Sequence, residues 1–511
     1  MSNINSISEL IAQIEHNVSL AYFFAQFLTI ICLFLYGLIF LAVLSDDSKK
    51  DGLVLKTVLA YPIGLAAFSV IAFLIVTLNI PYNSCSVITG CILALLIITF
   101  VKIRVSGKKS VYDSLHDFSE KILTKYGLIL FGMVILAAVI SCLGILSITV
   151  SNDSMYRATF YPRVIVHFGG IRSNFGTFLT DLGQGYALIN TLPFLFGFNE
   201  AFGLQHMLNL SFLALLFETL TEFFSGKNKR FAYVISTVIC LILLCSMPFM
   251  LISKWILSNA YFMVFLFVAI HFSLKKNVPI LSIVVAALSI MRIEGGIYAV
   301  LLILCISTLE FTNRELGLYL LCPVMILHGL YSARVFLTME LTDPYCFLTP
   351  GKAVIMIGIM ILAFIYLWLI RGKLPSVISK HVSLLIMLGE ILINLMLFII
   401  KPSAFLENLK VFFENVMFGG GWGVIPVSVF SIYLICLLCD FKSFKWNYWD
   451  LIAFSFLLYA IAVTFMREGG LHVSVGDSGN RVLMQCVPFV LIAAVSHLPA
   501  VINQKIAHEN E

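Results

Sequence analysis

The chain has 511 residues, of which 60% are hydrophobic and only 12% are charged, and its mean hydropathy is +1.02. About a quarter of the residues of a soluble globular protein are charged, so this composition excludes a soluble domain and indicates a polytopic membrane protein. The net charge of +5 does not indicate nucleic-acid binding, because the lysines and arginines fall in short clusters between apolar runs.

Apolar runs of bilayer length predict an all-α membrane protein with about 13 to 15 transmembrane helices. The runs lie at 20–44, 57–79, 87–101, 126–150, 204–224, 231–252, 258–273, 279–291, 296–309, 317–336, 354–371, 383–400, 424–439, 449–466 and 482–498. Runs 279–291 and 296–309 are shorter than the roughly 20 residues that a straight span needs, so they predict a broken pair or a re-entrant hairpin.

The charge clusters predict the orientation, since cytoplasmic loops carry an excess of lysine and arginine. With the N-terminus outside, 21 of the 32 basic residues fall on the cytoplasmic side, and the bias is strongest in the short early loops. Residues 1–19 contain no lysine or arginine and so lack the basic start of a cleaved signal peptide. We therefore expect a multi-pass protein of a cell membrane, of the bacterial cytoplasmic type, whose first helix is retained.

The first long loop, residues 151–203, is extracytoplasmic in this topology. Its apolar patches are interrupted by glycine and arginine, which predicts short helices lying in the membrane interface. We interpret residues 126–511 as the main membrane module and residues 1–125 as an N-terminal three-helix extension.

Asp153 opens this loop, directly after an apolar run, and Arg157 follows one helical turn later. A glycosyl transfer with a phosphate leaving group needs a base for the acceptor hydroxyl and cations for the charge that grows on the phosphate. Asp153 is a candidate for the base and Arg157 for a cation. The alternative is that Asp153 caps a helix and pairs with Arg157 on one face.

Other residues on the same side could serve the same chemistry. Asp181 is a candidate second acid, although an Asx turn before Gly183 also explains it. Arginine can grip a phosphate with two hydrogen bonds, and basic side chains at an interface can also simply extend towards the headgroups. The further candidates for substrate binding are Tyr156, Arg163, His167, Arg172 and Lys254.

Arg292 and Glu294 lie between the two short apolar runs, 279–291 and 296–309. Arg481 lies directly before the last apolar run of the chain, 482–498. Ionisable residues at membrane depth are costly and mark functional sites, so we expect Arg163, Arg292 and Arg481 to surround one donor phosphate. The alternative for Arg292 and Glu294 is a mutual salt bridge that fixes a helix break at Gly295. Glu390 and His328 are isolated in apolar runs and favour a structural role.

Four short motifs together resemble the GT-C superfamily of polytopic glycosyltransferases, which includes protein O-mannosyltransferases and lipid A aminoarabinose transferases. The motifs are Asp153-x-x-Tyr156, Tyr161-Pro162-Arg163-Val164, Arg292-x-Glu294-Gly295, and Arg481-Val482-Leu483 followed by Cys486-Val487-Pro488-Phe489.

The resemblance implies a GT-C-like helical bundle and an inverting transfer from a polyprenyl-phosphate sugar. The acceptor would be an extracytoplasmic glycolipid, polysaccharide or protein, and the partners would be membrane lipids and no nucleic acid. Asn152 stands where many relatives have a second acid, so a divalent metal lacks support and no cofactor is expected.

Two other functions remain open. An O-antigen-type polymerase or ligase would also be a many-span protein, but it needs a second large loop rich in arginine. The later loop 401–423 contains no arginine, and its only basic residues are Lys401 and Lys410. A transporter or flippase of lipid-linked sugars would use deep residues such as Glu390, His328 and Arg292. Transporters commonly show paired repeats, and the sequence shows no such symmetry.

Overall fold

The computed structural model describes residues 20–44, 52–144, 155–171, 184–198, 201–224, 229–252, 257–338, 348–375, 381–439, 445–465 and 471–500. In these ranges the protein is 85% helical and contains no strand. It is an all-α, multi-pass membrane protein, as the composition predicts. Eight of the described helices are long and apolar enough to cross a membrane, and five shorter apolar helices accompany them.

The helices are numbered here in chain order. The first ten are α1 (Leu20–Leu44), α2 (Leu53–Thr77), α3 (Ser84–Leu123), α4 (Lys125–Gly144), α5 (Tyr161–His167), α6 (Gln184–Ile189), α7 (Leu192–Leu195), α8 (Leu204–Phe223), α9 (Lys229–Leu244) and α10 (Met247–Ile252). The others are α11 (Ser258–Leu274), α12 (Val278–Met291), α13 (Gly295–Ile306), α14 (Cys322–Thr338), α15 (Pro350–Ile365), α16 (Val382–Ile400), α17 (Pro402–Glu414), α18 (Ile425–Cys439), α19 (Tyr448–Phe465), α20 (Ser478–Leu483) and α21 (Val487–Ser496).

Several helices are interrupted or extended. Gly107, with φ of 84°, separates the membrane-spanning part of α3 from the part after it. The run 231–252, predicted as one span, is divided between α9 and α10. Short π-helical turns precede α5 and α14, at Met155–Phe160 and Glu315–Leu321. The bilayer-length runs therefore predict where helices lie better than they predict where helices end.

Helices α11, α12 and α13 form the centre of the bundle. Most residues of α12 and α13 and nearly all of those of α11 are buried. At 1.5 Å per residue, the 14 residues of α12 and the 12 of α13 span about 21 and 18 Å, against a hydrocarbon core of about 30 Å. Short helices are tolerated here because protein rather than lipid surrounds the break between them.

Helix α2 connects the N-terminal helices to this centre. It packs along α1 and also contacts α6, α8 and α12. Helix α2, which belongs to the predicted N-terminal extension, thus packs directly against α12. The division into an extension and a catalytic module remains a prediction.

The two ends of the bundle carry different groups. Helix α11 runs from Ser258 to Leu274 and α12 returns, so the turn with Lys275 and Lys276 lies at the opposite end from Arg292. At the end with Lys275 and Lys276, Lys276 Nζ lies 2.7 Å from Glu310 Oε2. This hydrogen bond lowers the pKa of the exposed Glu310 carboxyl. Arg371 donates there to the carbonyls of Ser307, Leu309 and Phe311, which closes the end of α13. Loops predicted to be cytoplasmic therefore meet at the end opposite Arg292.

The crossing of α1 and α2 gives a test of this packing. A Cβ atom on Gly64 would lie 1.9 Å from the Leu33 carbonyl oxygen, so the two backbones must part. We expect Gly64→Ala to destabilise the protein by about 1–3 kcal/mol, as overpacking does. Thermal unfolding in detergent measures the loss.

The matched control is Gly389→Ala in α16, where no atom lies within 4 Å of the added Cβ. This variant should melt at or slightly above the wild-type temperature, since alanine favours a helix more than glycine does. Equal melting temperatures for the two variants would contradict the packing of α1 on α2.

Candidate functional site at the helix break

A three-residue break joins two buried helices in the middle of the bundle. Helix α12 ends at Met291, Arg292 is extended with φ of −143° and ψ of 161°, and α13 begins at Gly295. A Cβ atom on Gly295 would lie 2.3 Å from the carbonyl oxygen of Leu288, so only glycine allows the chain to turn back this closely. The run Arg-x-Glu-Gly thus places two ionisable side chains between helix ends.

The two side chains form a buried ion pair. Arg292 Nε lies 2.6 Å from Glu294 Oε1, and the side chains are 9% and 8% exposed. Arg292 Nη1 also donates to Ser258 Oγ at 2.9 Å. The salt bridge that the sequence left as an alternative is therefore present. Because the two charges cancel, Arg292 supplies hydrogen-bond donors to this site but little net positive charge.

Arg481 is linked to the break through the first turn of α11. Its carbonyl oxygen accepts a hydrogen bond from Asn259 Nδ2 at 2.8 Å, and Ser258, the preceding residue, contacts Arg292. Arg481 itself is partly exposed, on the short helix α20, which Asp477 caps by accepting from Gly479 N at 2.8 Å. The backbone of Arg481 thus lies near the break, and the convergence of the arginine side chains on one phosphate remains a prediction.

Asn480, beside Arg481, holds two segments of the last part of the chain together. Its Oδ1 accepts from Trp422 Nε1 at 2.7 Å, and its Nδ2 donates to the carbonyls of Gly420 and Val475 at 2.8 and 2.9 Å. Asn480 is fully buried. These contacts fix the backbone that carries Arg481, and they join residues too far apart in sequence to be found from spacing.

The described part of the first loop is fastened at the same end of the bundle. Arg334 donates to the carbonyl oxygens of Val76 and Ile171, both at 2.8 Å, and Tyr82 N donates to Gly169 O at 2.8 Å. Arg334 therefore ties the end of α2 to the chain just after α5. Arg334 could not be predicted from the sequence, because a single arginine near the end of an apolar run resembles an ordinary flanking charge.

The other predicted residues divide into two groups. Arg163 and His167 lie on the exposed side of α5, beside exposed Phe160 and Phe168, a mixture typical of interfacial helices. None of the contacts described for Arg163 or His167 reaches the break. Whether Arg163 converges on the site therefore remains a prediction.

The second group lies beyond what the structure describes. Asp153, Arg172, Asp181 and Lys254 fall outside the described residues. Tyr156 and Arg157 belong to the π-helical turn before α5, but their side chains are likewise outside the described part. Their catalytic and binding roles remain predictions.

Two polar residues predicted as isolated lie deeper. His328 is fully buried and its Nδ1 donates to the Ser289 carbonyl at 3.1 Å, so it borders α12 rather than standing alone. Glu390 and Asn394 are the buried residues of α16, and Asn394 Nδ2 donates to the Leu458 carbonyl of α19 at 3.1 Å. Within the described residues, no group of three His, Cys, Asp or Glu could hold a metal ion.

Comparisons with family models, with curated proteins and with solved structures found no match to this chain. The GT-C resemblance therefore rests on the motifs alone. The site is defined by its own geometry, as a buried polar break at one end of a membrane bundle with a second, partly exposed arginine beside it.

The ion pair predicts a distinctive pattern of stability. Arg292→Met leaves the Glu294 carboxylate buried without its partner and should destabilise the protein by about 3–5 kcal/mol. The double variant Arg292→Met/Glu294→Leu removes both charges, so it should recover much of that loss. Thermal unfolding of the two single variants and the double variant measures the coupling.

Lys276→Met is the matched control, since its pair with Glu310 has a similar distance but is exposed. Exposed pairs contribute little, so this variant should unfold close to the wild type. If the double variant Arg292→Met/Glu294→Leu loses as much stability as the two single variants together, the two charges are not coupled.

Proposed function

We propose that the protein is an integral-membrane glycosyltransferase that moves a sugar from a polyprenyl phosphate to an acceptor outside the cytoplasm. The observation that carries this proposal is the link from the buried Arg292–Glu294 pair through Ser258 and Asn259 to Arg481. This link supports a site at one end of the bundle, where the donors of Arg292 and the partly exposed Arg481 would bind the phosphate of a membrane-bound lipid.

In the proposed reaction, the acceptor hydroxyl attacks the anomeric carbon while Asp153 takes its proton. The bond from the anomeric carbon to the phosphate oxygen breaks, the configuration inverts, and the polyprenyl phosphate leaves with the bonding electron pair. A cation stabilises the charge that grows on the phosphate. Asp181 is proposed to position the acceptor, and no step requires a metal or cofactor.

The phosphate needs more positive charge than Arg292 can give, because Glu294 already neutralises it. We assign the main role to Arg481, which is partly exposed and held at the break by its backbone. Arg157, Arg172 and Lys254 are the next candidates, since the sequence places them in or beside the segments that lead to α6 and α11. Arg163 stays a candidate for the same phosphate, and His167, also on the exposed side of α5, would contact headgroups or the acceptor.

The proposed orientation places the break on the extracytoplasmic side and the N-terminus outside. Its support is that the clusters with Lys275, Lys276 and Arg371 lie at the opposite end. The prenyl chain would stay in the outer leaflet, because it is too apolar to leave the bilayer, and only its phosphate and sugar would enter the site.

The position of Glu390 favours a second candidate function, that of a transporter. It lies in the middle of α16, whose other side chains mostly face outward, and a transporter places ionisable groups near the midplane. We prefer the enzyme, because α16 packs against α19 and Asn394, one turn from Glu390, donates to the Leu458 carbonyl of α19. A polar residue of this kind holds two membrane helices together, so polar groups on this face of α16 also have a structural explanation.

The two candidates predict opposite effects of two substitutions. Asp153→Asn should lower sugar transfer about a hundredfold or more, because the amide keeps the shape but cannot take a proton. Glu390→Gln should leave transfer near the wild-type rate. Native membrane vesicles, which carry the acceptor, are supplied with polyprenyl phosphates bearing different sugars, and the released polyprenyl phosphate is measured.

Folding of both variants is checked by thermal unfolding. The reverse pattern, with Asp153→Asn active and Glu390→Gln inactive, would make the transporter the better account and reduce Asp153 to a helix cap.

A further inference from the structure

Helix α17 is too short to cross the membrane, and it bends away from the span that precedes it. Its 13 residues cover about 20 Å, against a hydrocarbon core of about 30 Å. Lys401, between α16 and α17, has the non-helical angles φ of −142° and ψ of 77°. The ring centroids of Phe398 and Phe405 are 5.9 Å apart, whereas residues seven positions apart on one straight helix are separated by about 10 Å along its axis. The chain therefore turns where α16 ends.

Two apolar stripes on α17 differ in exposure. Phe405 and Phe412, two turns apart, are 9% and 5% exposed, and the helix packs against α16 and α19. Leu406 and Phe413, also two turns apart, are 55% and 56% exposed. Since residues two turns apart share one side of a helix, α17 has one apolar stripe that faces the protein and a second that the protein leaves uncovered.

The remaining side of α17 is charged. Glu407, Lys410 and Glu414 follow one another at three and four positions, and Lys410 and Glu414 form an ion pair at the surface, with 3.8 Å between Nζ and Oε1. The helix thus has one side for each of the three surroundings at the rim of a membrane protein, which are protein, lipid and water. An amphipathic helix that lies in the membrane interface has this division between apolar and charged sides.

Hydrogen bonds hold the end of α17 at the end of the bundle where the break lies. Asn415, directly after α17, donates from Nδ2 to the His472 carbonyl at 3.1 Å and accepts at Oδ1 from Ser474 N at 3.0 Å. Gly420 accepts from Asn480 Nδ2 at 2.8 Å, and Asn480 precedes the partly exposed arginine of the candidate site. The helix therefore lies beside the segment that carries this arginine.

The exposed apolar stripe continues the surfaces of the two spans that flank α17 in the chain. Of the 19 residues of α16 only two are buried, and of the 15 residues of α18 only two are buried, so both spans turn most of their apolar side chains towards lipid. Phe418, between α17 and α18, is 77% exposed, and its ring contacts that of Phe413 at 6.3 Å. A patch of large exposed apolar side chains marks an interaction surface, and its continuity with lipid-facing helices identifies the occupant as lipid hydrocarbon.

We propose that α17 lies in the membrane interface at the end of the bundle that carries the break, with Leu406, Phe413 and Phe418 inserted among the acyl chains of that leaflet. Residues 401–423, which the sequence predicts as a loop, then include a lipid-anchored helix. The hydrogen bonds of Asn415 and Gly420 attach the segment of the candidate site to this anchor. The insertion follows from the membrane fold, so it holds whether the protein is an enzyme or a transporter.

Fluorine relaxation at single sites tests the proposal. Para-trifluoromethylphenylalanine replaces Leu406 or Phe413 in the full-length protein, which is placed in nanodiscs of phosphatidylethanolamine and phosphatidylglycerol. Dissolved oxygen concentrates among the acyl chains and a nickel chelate stays in water, so the ratio of the two relaxation enhancements reports the surroundings of each label. The matched controls carry the same label at Glu407, on the charged side of α17, and at Leu392, which is 57% exposed on α16.

We expect the oxygen-to-chelate ratio at Leu406 and Phe413 to exceed the ratio at Glu407 about fivefold or more and to approach the ratio at Leu392, because an interfacial helix buries its apolar side below the headgroups. Equal ratios at Leu406, Phe413 and Glu407 would place α17 in water and overturn the proposal. Weak relaxation by both reagents at Leu406 and Phe413 would show that protein, such as a second copy of the chain, covers the stripe, and this result would overturn it too.

Thermal unfolding checks that each labelled protein keeps its fold. The label at Phe413 preserves the aromatic ring, so this position gives the decisive ratio if the Leu406 replacement unfolds the protein.

Discussion

The site depends on one constraint, that two opposite charges buried in a membrane bundle must stay together. Arg292 and Glu294 are nearly excluded from solvent, and separating them would leave an unpaired charge in an apolar surrounding. The pair can form because Gly295 lets α13 begin immediately beside α12. Hydrogen bonds of Ser258 and Asn259, in the first turn of α11, then connect the break to the backbone of Arg481.

Hydrogen bonds from Asn480 and Arg334 anchor chain segments near this end of the bundle. Asn480 fixes the last loop to the chain near Trp422, and Arg334 fixes the first loop to the end of α2. Arg481, next to Asn480 in the chain, is partly exposed. A site of this kind suits a ligand that is held by its polar head while its apolar tail stays outside, and a lipid-linked sugar phosphate has that form.

Much of this fold follows from the sequence because apolar runs and glycine act locally. The all-α class, most helix positions and the break at Arg292 could be predicted, since each depends on a few consecutive residues. Asn259, Arg334 and Asn480 could not, because their partners lie far away in the chain and one polar residue in an apolar run has no characteristic pattern.

The most direct test of the account is to find where a lipid-linked donor lies. A farnesyl phosphate hexose with a diazirine on its first isoprene unit is photo-crosslinked in native membranes, and the labelled peptides are identified by mass spectrometry. The account predicts label on α5 and around Arg481 at the start of the last span. Label concentrated around Glu390 and the facing part of α19, with none near Arg481, would contradict it and place the lipid on a path through the membrane.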